Sequence, residues 1–390
     1  MASAGVNRRS VLRSSCAMCT LGFHWLANAQ DQPDASSRIA RPTIESDEGG
    51  LWAIMEREEK KLRRSPLLIN DEKLKTYLSD LACKLGGEHC PDIRVYPMRT
   101  PLFNASMAPN GMIQIWSGLM LRVENEAQLS SVIGHEIGHY VGKHSLLMLR
   151  SIKDKSALAT FMFVLGPIGL LGSLAAVSSL FTFSRENERD ADRAGVDLME
   201  KAGYDVAQAA LIWKNLRDEI SVGANKDALD KLPIWQTHPG IVERIGTLTD
   251  MANARKKQDF TGEARWFETI APFRMAWIQD ELSRSQHEES ITLFSRLLKL
   301  NRAQPEIHYA KGEALRNRSG AGDLDLAITE FRAAIALTGE PPVTHRGLGL
   351  SMRSQGNKDA AIASLTNYLQ MAPTAPDHDL IQTYIGELKA

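Results

Sequence analysis

Cysteine is scarce in this chain, with 4 in 390 residues, which excludes a scaffold built on disulfides. An excess of either charge sign is also missing. Lys and Arg number 46 against 47 Asp and Glu, which excludes a protein that holds nucleic acid through net positive charge and favours no particular partner. Apolar residues are not scarce: at 43% they exclude an intrinsically disordered tail. At roughly 100–200 residues per domain, the length predicts two domains, each able to bury a core. The remaining absences are local and say more.

The first 29 residues contain no acidic residue. Arg8-Arg9 precedes an apolar stretch from Cys16 to Leu26, and Ala27-Asn28-Ala29 follows as a cleavage site with small residues. A charged start, a short apolar core and this cut predict a signal peptide over 1–29, removed after Ala29, and the arginine pair resembles a twin-arginine export signal. The apolar core falls short of the ~20 residues a membrane span needs. Met18 stands where a lipoprotein signal places a small residue before its cysteine, so no lipid anchor is expected. Cleavage would also remove Cys16 and Cys19. Cys83 and Cys90 would then remain as an even pair in an oxidising compartment, and a disulfide between them is expected.

Residues 30–50, rich in Asp, Pro, Ser and Gly, read as a flexible linker. Apolar spacing predicts helices over Leu51–Arg64 and Asp71–Leu85. Alternation predicts strands over Asp92–Met98, Asn104–Ala108 and Met112–Trp116, with Pro109-Asn110-Gly111 as a turn, giving a small, largely antiparallel sheet. Two central helices are predicted, Asn125–Gly142 and Arg185–Ala202, and helical signals dominate from Ala207 to the end.

The first central helix carries His135-Glu136-Ile137-Gly138-His139. Residues four apart lie one turn above each other, so both imidazoles can hold one zinc ion. Glu136, rotated away by about a third of a turn, is placed to act as a base on water rather than as a ligand. Val132, Ile133, Ile137 and Val141 make the helix apolar, unlike a surface helix that happens to carry two histidines. A third ligand is needed. The second central helix offers Glu188 and Asp192, four apart, with Asp192 suited to support a ligating histidine from behind. On spacing alone, Glu186 and Asp190 compete for the ligand role.

Together, His-Glu-Ile-Gly-His, Ser184-Arg185-x-x-Glu188-x-x-Ala191-Asp192 and Thr237-His238-Pro239 resemble the zinc peptidases that include the CAAX prenyl protease and HtpX. With an export signal and C-terminal repeats, the chain is most similar to the family's periplasmic branch of barrel-assembly-enhancing proteases. The resemblance implies an α+β, mostly helical fold: a zincin-type (gluzincin) metalloprotease domain with a small sheet, then an all-α repeat domain. It implies one zinc per chain on His135, His139 and Glu188, Glu136 as general base, and Asp192 behind the ligands. His144 matches a recurrent family histidine with a structural role. It places His238 near the metal, either stabilising the oxyanion or filling the fourth zinc position. It implies that substrate adds as a strand near Asn104-Ala105, where this chain has Ser106-Met107 in place of a common aromatic or apolar pair.

From Ser156 to Ser184 no residue is charged. In isolation the stretch is a transmembrane candidate, but His135 and His139 precede it and Glu188 follows it, and one span would part them across a bilayer. Two spans would need about 40 apolar residues, and Gly166-Pro167 breaks the run. A helical hairpin over 156–184 is therefore expected, either buried or in peripheral contact with a membrane.

Toward the C-terminus, Gly349, Gly356, Ala361, Leu365 and Pro373 fall at tetratricopeptide spacing. Gly312, Gly322, Ala327, Phe331, Ala334 and Pro341 repeat it, with extra residues at Asn317–Ala321, and Ser290, Phe294 and Leu297 suggest a degenerate third copy. Residues 51–260 are thus expected to form the protease domain and 261–390 the repeats, docked on it because two or three units are marginal alone. The leading reading is a periplasmic zinc endopeptidase with protein or peptide substrates among envelope proteins, acting in outer-membrane protein quality control. Its repeats would be the contact for the outer-membrane assembly machinery. The competing reading is a chaperone or assembly factor that works through its repeats and carries an idle or latent zinc site.

Overall fold

The computed structural model describes residues 42–151, 183–223, 240–300 and 302–390. The expected signal peptide, nearly all of the apolar segment 156–184, and His238 lie outside the described residues. Two helices open the fold, α1 (Asp47–Leu62) and α2 (Glu72–Gly86). Each begins on a side-chain cap: Ser46 accepts from the Gly49 amide and Asp71 from the Leu74 amide. On α2, Leu74, Leu78, Leu81 and Leu85 recur at helical spacing and are all buried.

Three strands follow, β1 (Arg94–Met98), β2 (Ala105–Met107) and β3 (Met112–Trp116). The sheet is mixed, which corrects the expectation of a largely antiparallel one. Its order is β1-β3-β2, with β2 and β3 antiparallel across Pro109-Asn110-Gly111 and β1 and β3 parallel. The alternation of side chains gives strands their length but not their neighbours. β1 also starts later than its alternation suggested, because Gly87–Asp92 closes a 3-10 turn. The sulfurs of Cys83 and Cys90 are bonded across that turn. Gly111 adopts φ +85 and brings its backbone against Asp92, where any Cβ would lie 2.0 Å from the Asp92 carbonyl oxygen.

Helices α3 (Ser117–Arg122), α4 (Glu126–Val141) and α5 (His144–Ser151) come next, and beyond the undescribed stretch α6 (Arg185–Lys201), α7 (Gln208–Ile220) and α8 (Ile241–Asn253). The core sits where α2, α4, α6 and α7 meet the sheet. Every residue of α4 from Glu126 to His139 is buried. Among the described residues, no helix is long and apolar enough to cross a membrane.

One buried carboxylate ties α1 to the sheet. Glu59 accepts from Arg94 Nε and Nη2 at 2.7 Å, from the Tyr96 hydroxyl at 2.6 Å and from Asn110 Nδ2 at 2.9 Å, so helix, strand and turn share one acceptor. Burial pushes its pKa up, but the hydrogen bonds from Arg94, Tyr96 and Arg63 outweigh that and hold it at about 2.

The second half is helical: α9 (Glu263–Ser283), α10 (His287–Leu297), α11 (Pro305–Arg318), α12 (Asp323–Ile335), α13 (Val343–Ser354), α14 (Lys358–Met371) and α15 (His378–Lys389). The small residues anticipated at helix crossings stand at close contacts. A Cβ on Gly312 would meet the Phe331 ring at 2.8 Å, and one on Gly349 would meet Leu365 at 2.6 Å. This half is fastened to the first through Arg122, which is 2% exposed and donates to Glu219 of α7 and Glu281 of α9, at 2.8 and 2.9 Å. Trp266 Nε1 donates to the Val123 carbonyl at 3.1 Å, and Arg296 pairs with Glu124.

Two predictions arise from these networks. Because the folded pKa of Glu59 lies below its ordinary value of 4.5, its stabilisation is present above pH 4.5 and lost as pH falls toward 2. Urea unfolding should show about 3 kcal/mol lost across that window in the native chain, and a much smaller loss in Glu59→Gln. Arg122→Met leaves Glu219 buried without its main partner and should cost about 3–5 kcal/mol, read as a lower urea midpoint and faster proteolysis between residues 254 and 262.

Candidate metal centre

The site is made by two helices crossing at backbone contact. A Cβ on Gly138 would lie 2.9 Å from the Ala191 carbonyl oxygen, and one on Gly195 would lie 2.9 Å from the His135 amide nitrogen. Gly134 faces Gly195 in the same seam. Larger residues at these positions would hold α4 and α6 apart. Each helix is also fixed at its start. Asn125 caps α4 through the Gln128 amide and Ser184 caps α6 through the Asn187 amide. Glu126, in the first turn of α4, accepts from the Tyr77 and Tyr204 hydroxyls at 2.5 Å each.

This crossing brings three of the expected residues to one point. His135 Nε2 and His139 Nε2 are 3.1 Å apart, Glu188 Oε1 is 3.2 Å from His139 Nε2, and Glu188 Oε2 is 3.6 Å from His135 Nε2. A tetrahedral zinc with bonds of roughly 2.0–2.1 Å has ligand–ligand edges of about 3.3 Å, so this donor set fits such an ion. All three side chains are buried, and they are the group among the described residues able to hold a metal. Glu186 and Asp190, which competed with Glu188 on spacing, both face solvent.

The far nitrogens of both histidines are engaged. His135 Nδ1 lies 2.9 Å from Asp192 Oδ1, and His139 Nδ1 lies 2.9 Å from His144 Nδ1. Asp192 is held in turn by Arg244 of α8, whose Nε and Nη2 donate at 2.9 and 2.6 Å. Burial pushes the Asp192 pKa up, but the Arg244 charge and the His135 hydrogen bond outweigh it and hold it at about 2. The Arg244 guanidinium also lies 3.4 Å from Glu188 Oε2 and stacks 4.1 Å over the Trp213 ring. Phe183 stacks 3.9 Å from the His139 ring.

Glu136 is buried beside the ligands and accepts from the Met107 amide of β2 at 3.0 Å. Asn104 immediately precedes β2 and Ala105 is its first residue; β2 occupies one edge of the sheet. Asn104 Oδ1 is buried without a hydrogen-bond partner among the described residues. Sequence reasoning missed Arg244 and Phe183. The only signal for Arg244 was an arginine one turn into the helix after Thr-His-Pro, and Phe183 had none beyond its place next to the Ser184 cap.

Paired histidines and a glutamate on two crossed helices, backed by an aspartate and beside an edge strand, define a metal-dependent hydrolytic centre of the peptidase type, joined to a helical repeat array. In agreement, residues 69–252 match Peptidase family M48 and residues 275–341 and 316–376 match the tetratricopeptide repeat. The chain carries an M48 peptidase domain followed by C-terminal tetratricopeptide repeats.

Similar proteins include the beta-barrel assembly-enhancing protease of Escherichia coli (strain K12), 27% identical over 213 residues, which are 50% of this chain and 42% of that protein. A putative beta-barrel assembly-enhancing protease of Vibrio cholerae is 27% identical over 203 residues, 47% of this chain and 40% of that protein. A mitochondrial metalloendopeptidase of Arabidopsis thaliana is 32% identical over 125 residues, 31% of this chain and 25% of that protein. The chain thus spans less than half the length of the curated relatives it matches.

The seam is testable. Gly195→Ala should cost about 1–3 kcal/mol in urea unfolding, because backbone rather than a flexible side chain must move. The same change should lower bound zinc measured by atomic absorption, because Glu188 moves away from the histidine pair.

Proposed function

We propose that the protein is an exported zinc endopeptidase that hydrolyses peptide bonds in envelope protein clients and acts in outer-membrane protein assembly or quality control. The observation that carries the reading is the convergence of His135, His139 and Glu188 at tetrahedral spacing beside a buried Glu136 bonded to an edge strand. The relatives' name, beta-barrel assembly-enhancing protease, supplies the client class. The charged start of the sequence and its Ala27-Asn28-Ala29 cut supply the export.

A bound zinc ion would polarise the scissile carbonyl and acidify the attacking water. The chain's own groups do the rest. His135, His139 and Glu188 would hold the ion, with the ring of His135 oriented by Asp192. Glu136 takes the proton from water and passes it to the leaving amine, as a carboxylate near the ligands can do twice in one turnover. The Met107 amide aims that carboxylate while it waits. A client segment would add as a strand along β2, the edge strand at Asn104-Ala105. The repeats would select the client, since stacked helical pairs present an extended surface to protein segments. His238 would act on the oxyanion or at the fourth metal position.

The test is Glu136→Gln in the mature chain. Zinc content should stay at one per chain while hydrolysis of an unfolded barrel protein falls by at least roughly 100-fold. Client turnover that survives this substitution but disappears when the repeats are truncated would overturn the enzyme reading in favour of an assembly factor.

A further inference from the structure

We infer that His144 is the positioning residue for His139: it fixes the tautomer and the ring plane with which His139 presents Nε2 to the metal. This rests on the proposed metal-centre reading and adds a residue to it. His139 Nδ1 and His144 Nδ1 lie 2.9 Å apart. Two lone pairs, or two N–H groups, cannot face each other at that distance, so one proton sits between them. His139 directs Nε2 at His135 and Glu188, 3.1 and 3.2 Å away, and a nitrogen that ligates must keep its lone pair free. The proton therefore belongs to His139 Nδ1, and His144 accepts it as a neutral imidazole. Asp192 does the same for His135, so each ligating histidine has its own acceptor, one a carboxylate and one an imidazole.

The chain is built to put His144 there. His139 lies in the last turn of α4 and His144 is the first residue of α5, and the turn between the helices, Gly142-Lys143, is special at both of its residues. Lys143 has φ 51, an unusual value for a residue with a side chain, and its Nζ is held by Glu48 at 2.8 Å. Gly142 has an ordinary helical φ of −72, so its backbone does not require glycine. A Cβ at that position would instead lie 2.4 Å from His144 Nε2. The missing side chain makes room for the imidazole to fold back onto His139. Phe183 stacks on the face of His139 while His144 holds its edge, at an interplanar angle of 80°. The ring is thereby fixed in two directions.

The experiment uses the mature chain and four variants: His144→Ala, His144→Asn, Gly142→Ala and the Gly142→Ala/His144→Ala double. Zinc affinity is measured by competition with a chromophoric chelator, and the visible spectrum is recorded with cobalt in place of zinc. His144→Ala should weaken zinc roughly 10- to 100-fold, the usual effect of losing a partner behind a ligand, and should change the cobalt bands. His144→Asn should recover most of the affinity, because its side-chain oxygen can accept the same proton. Gly142→Ala should weaken zinc while His144 is present and have no further effect in the double variant. Equal affinity in wild type and His144→Ala would overturn the inference, as would an Asn variant as weak as the Ala variant. A uniform fall in metal-free melting temperature with unchanged cobalt bands would also overturn it, showing a structural role only. A wild-type chain that takes up neither zinc nor cobalt would overturn the metal-centre reading itself, and that outcome is separable because no variant is needed to see it.

Discussion

The close approach of α4 and α6 is the constraint on which the rest of the structure depends. Two helices normally cross 8–10 Å apart, spaced by their side chains. Here Gly134, Gly138 and Gly195 remove those side chains at the seam, and backbone meets backbone. Only at that spacing can the short side chain of Glu188 reach the histidines presented one turn apart on α4. Asp192, one turn further along α6, then falls behind His135 by the same geometry. Burial of α4 on all sides follows from its position, since the seam covers one face while the sheet, α2 and α7 cover the others.

Burying so many polar groups requires partners for them, and the chain supplies these from distant parts of the sequence. Glu136, Glu188 and Asp192 bring three carboxylates into one enclosed region. Arg244, stacked on Trp213 and bonded to Asp192, offsets part of that charge. The metal ion proposed for the site would offset the remainder. The same device recurs away from the site. Glu59 gathers α1, β1 and the β2–β3 turn around one carboxylate, which steadies the edge strand whose Met107 amide holds Glu136. Arg122 joins α7 of the peptidase domain to α9 at the entry to the repeats. The networks therefore rigidify the elements that position chemistry and the junction through which the repeats would act on it.

The motif helices were legible in advance because their signals are local. The spacing of His135 and His139 on α4, and of Glu188 and Asp192 on α6, depends on a few neighbouring residues. The choice of Glu188 over Glu186 and Asp190 was not legible from spacing, since all three lie on one polar run. Which face of α6 turns inward is settled by Ala191 and Gly195 at the seam. The sheet was misjudged for a similar reason. Its strands were visible, but pairing is a relation between segments, and β3 inserts between β1 and β2, making one pair parallel.

By itself the sequence determined the kind of chemistry available: a pair of imidazoles on one helical face, a carboxylate beside them, an acidic helix to complete the set, and repeats with small residues where helices cross. These follow from periodicity and residue type. The tertiary structure decided which acid turns toward the histidines and what stands behind each of them. Asp192 lies 57 positions from His135 and Arg244 lies 52 from Asp192. His144 is only five positions from His139, yet its contact depends on a turn at Gly142 and Lys143 that no helical spacing foretells. Periodicity governs where a side chain points on its own element; its partner is set by how elements pack.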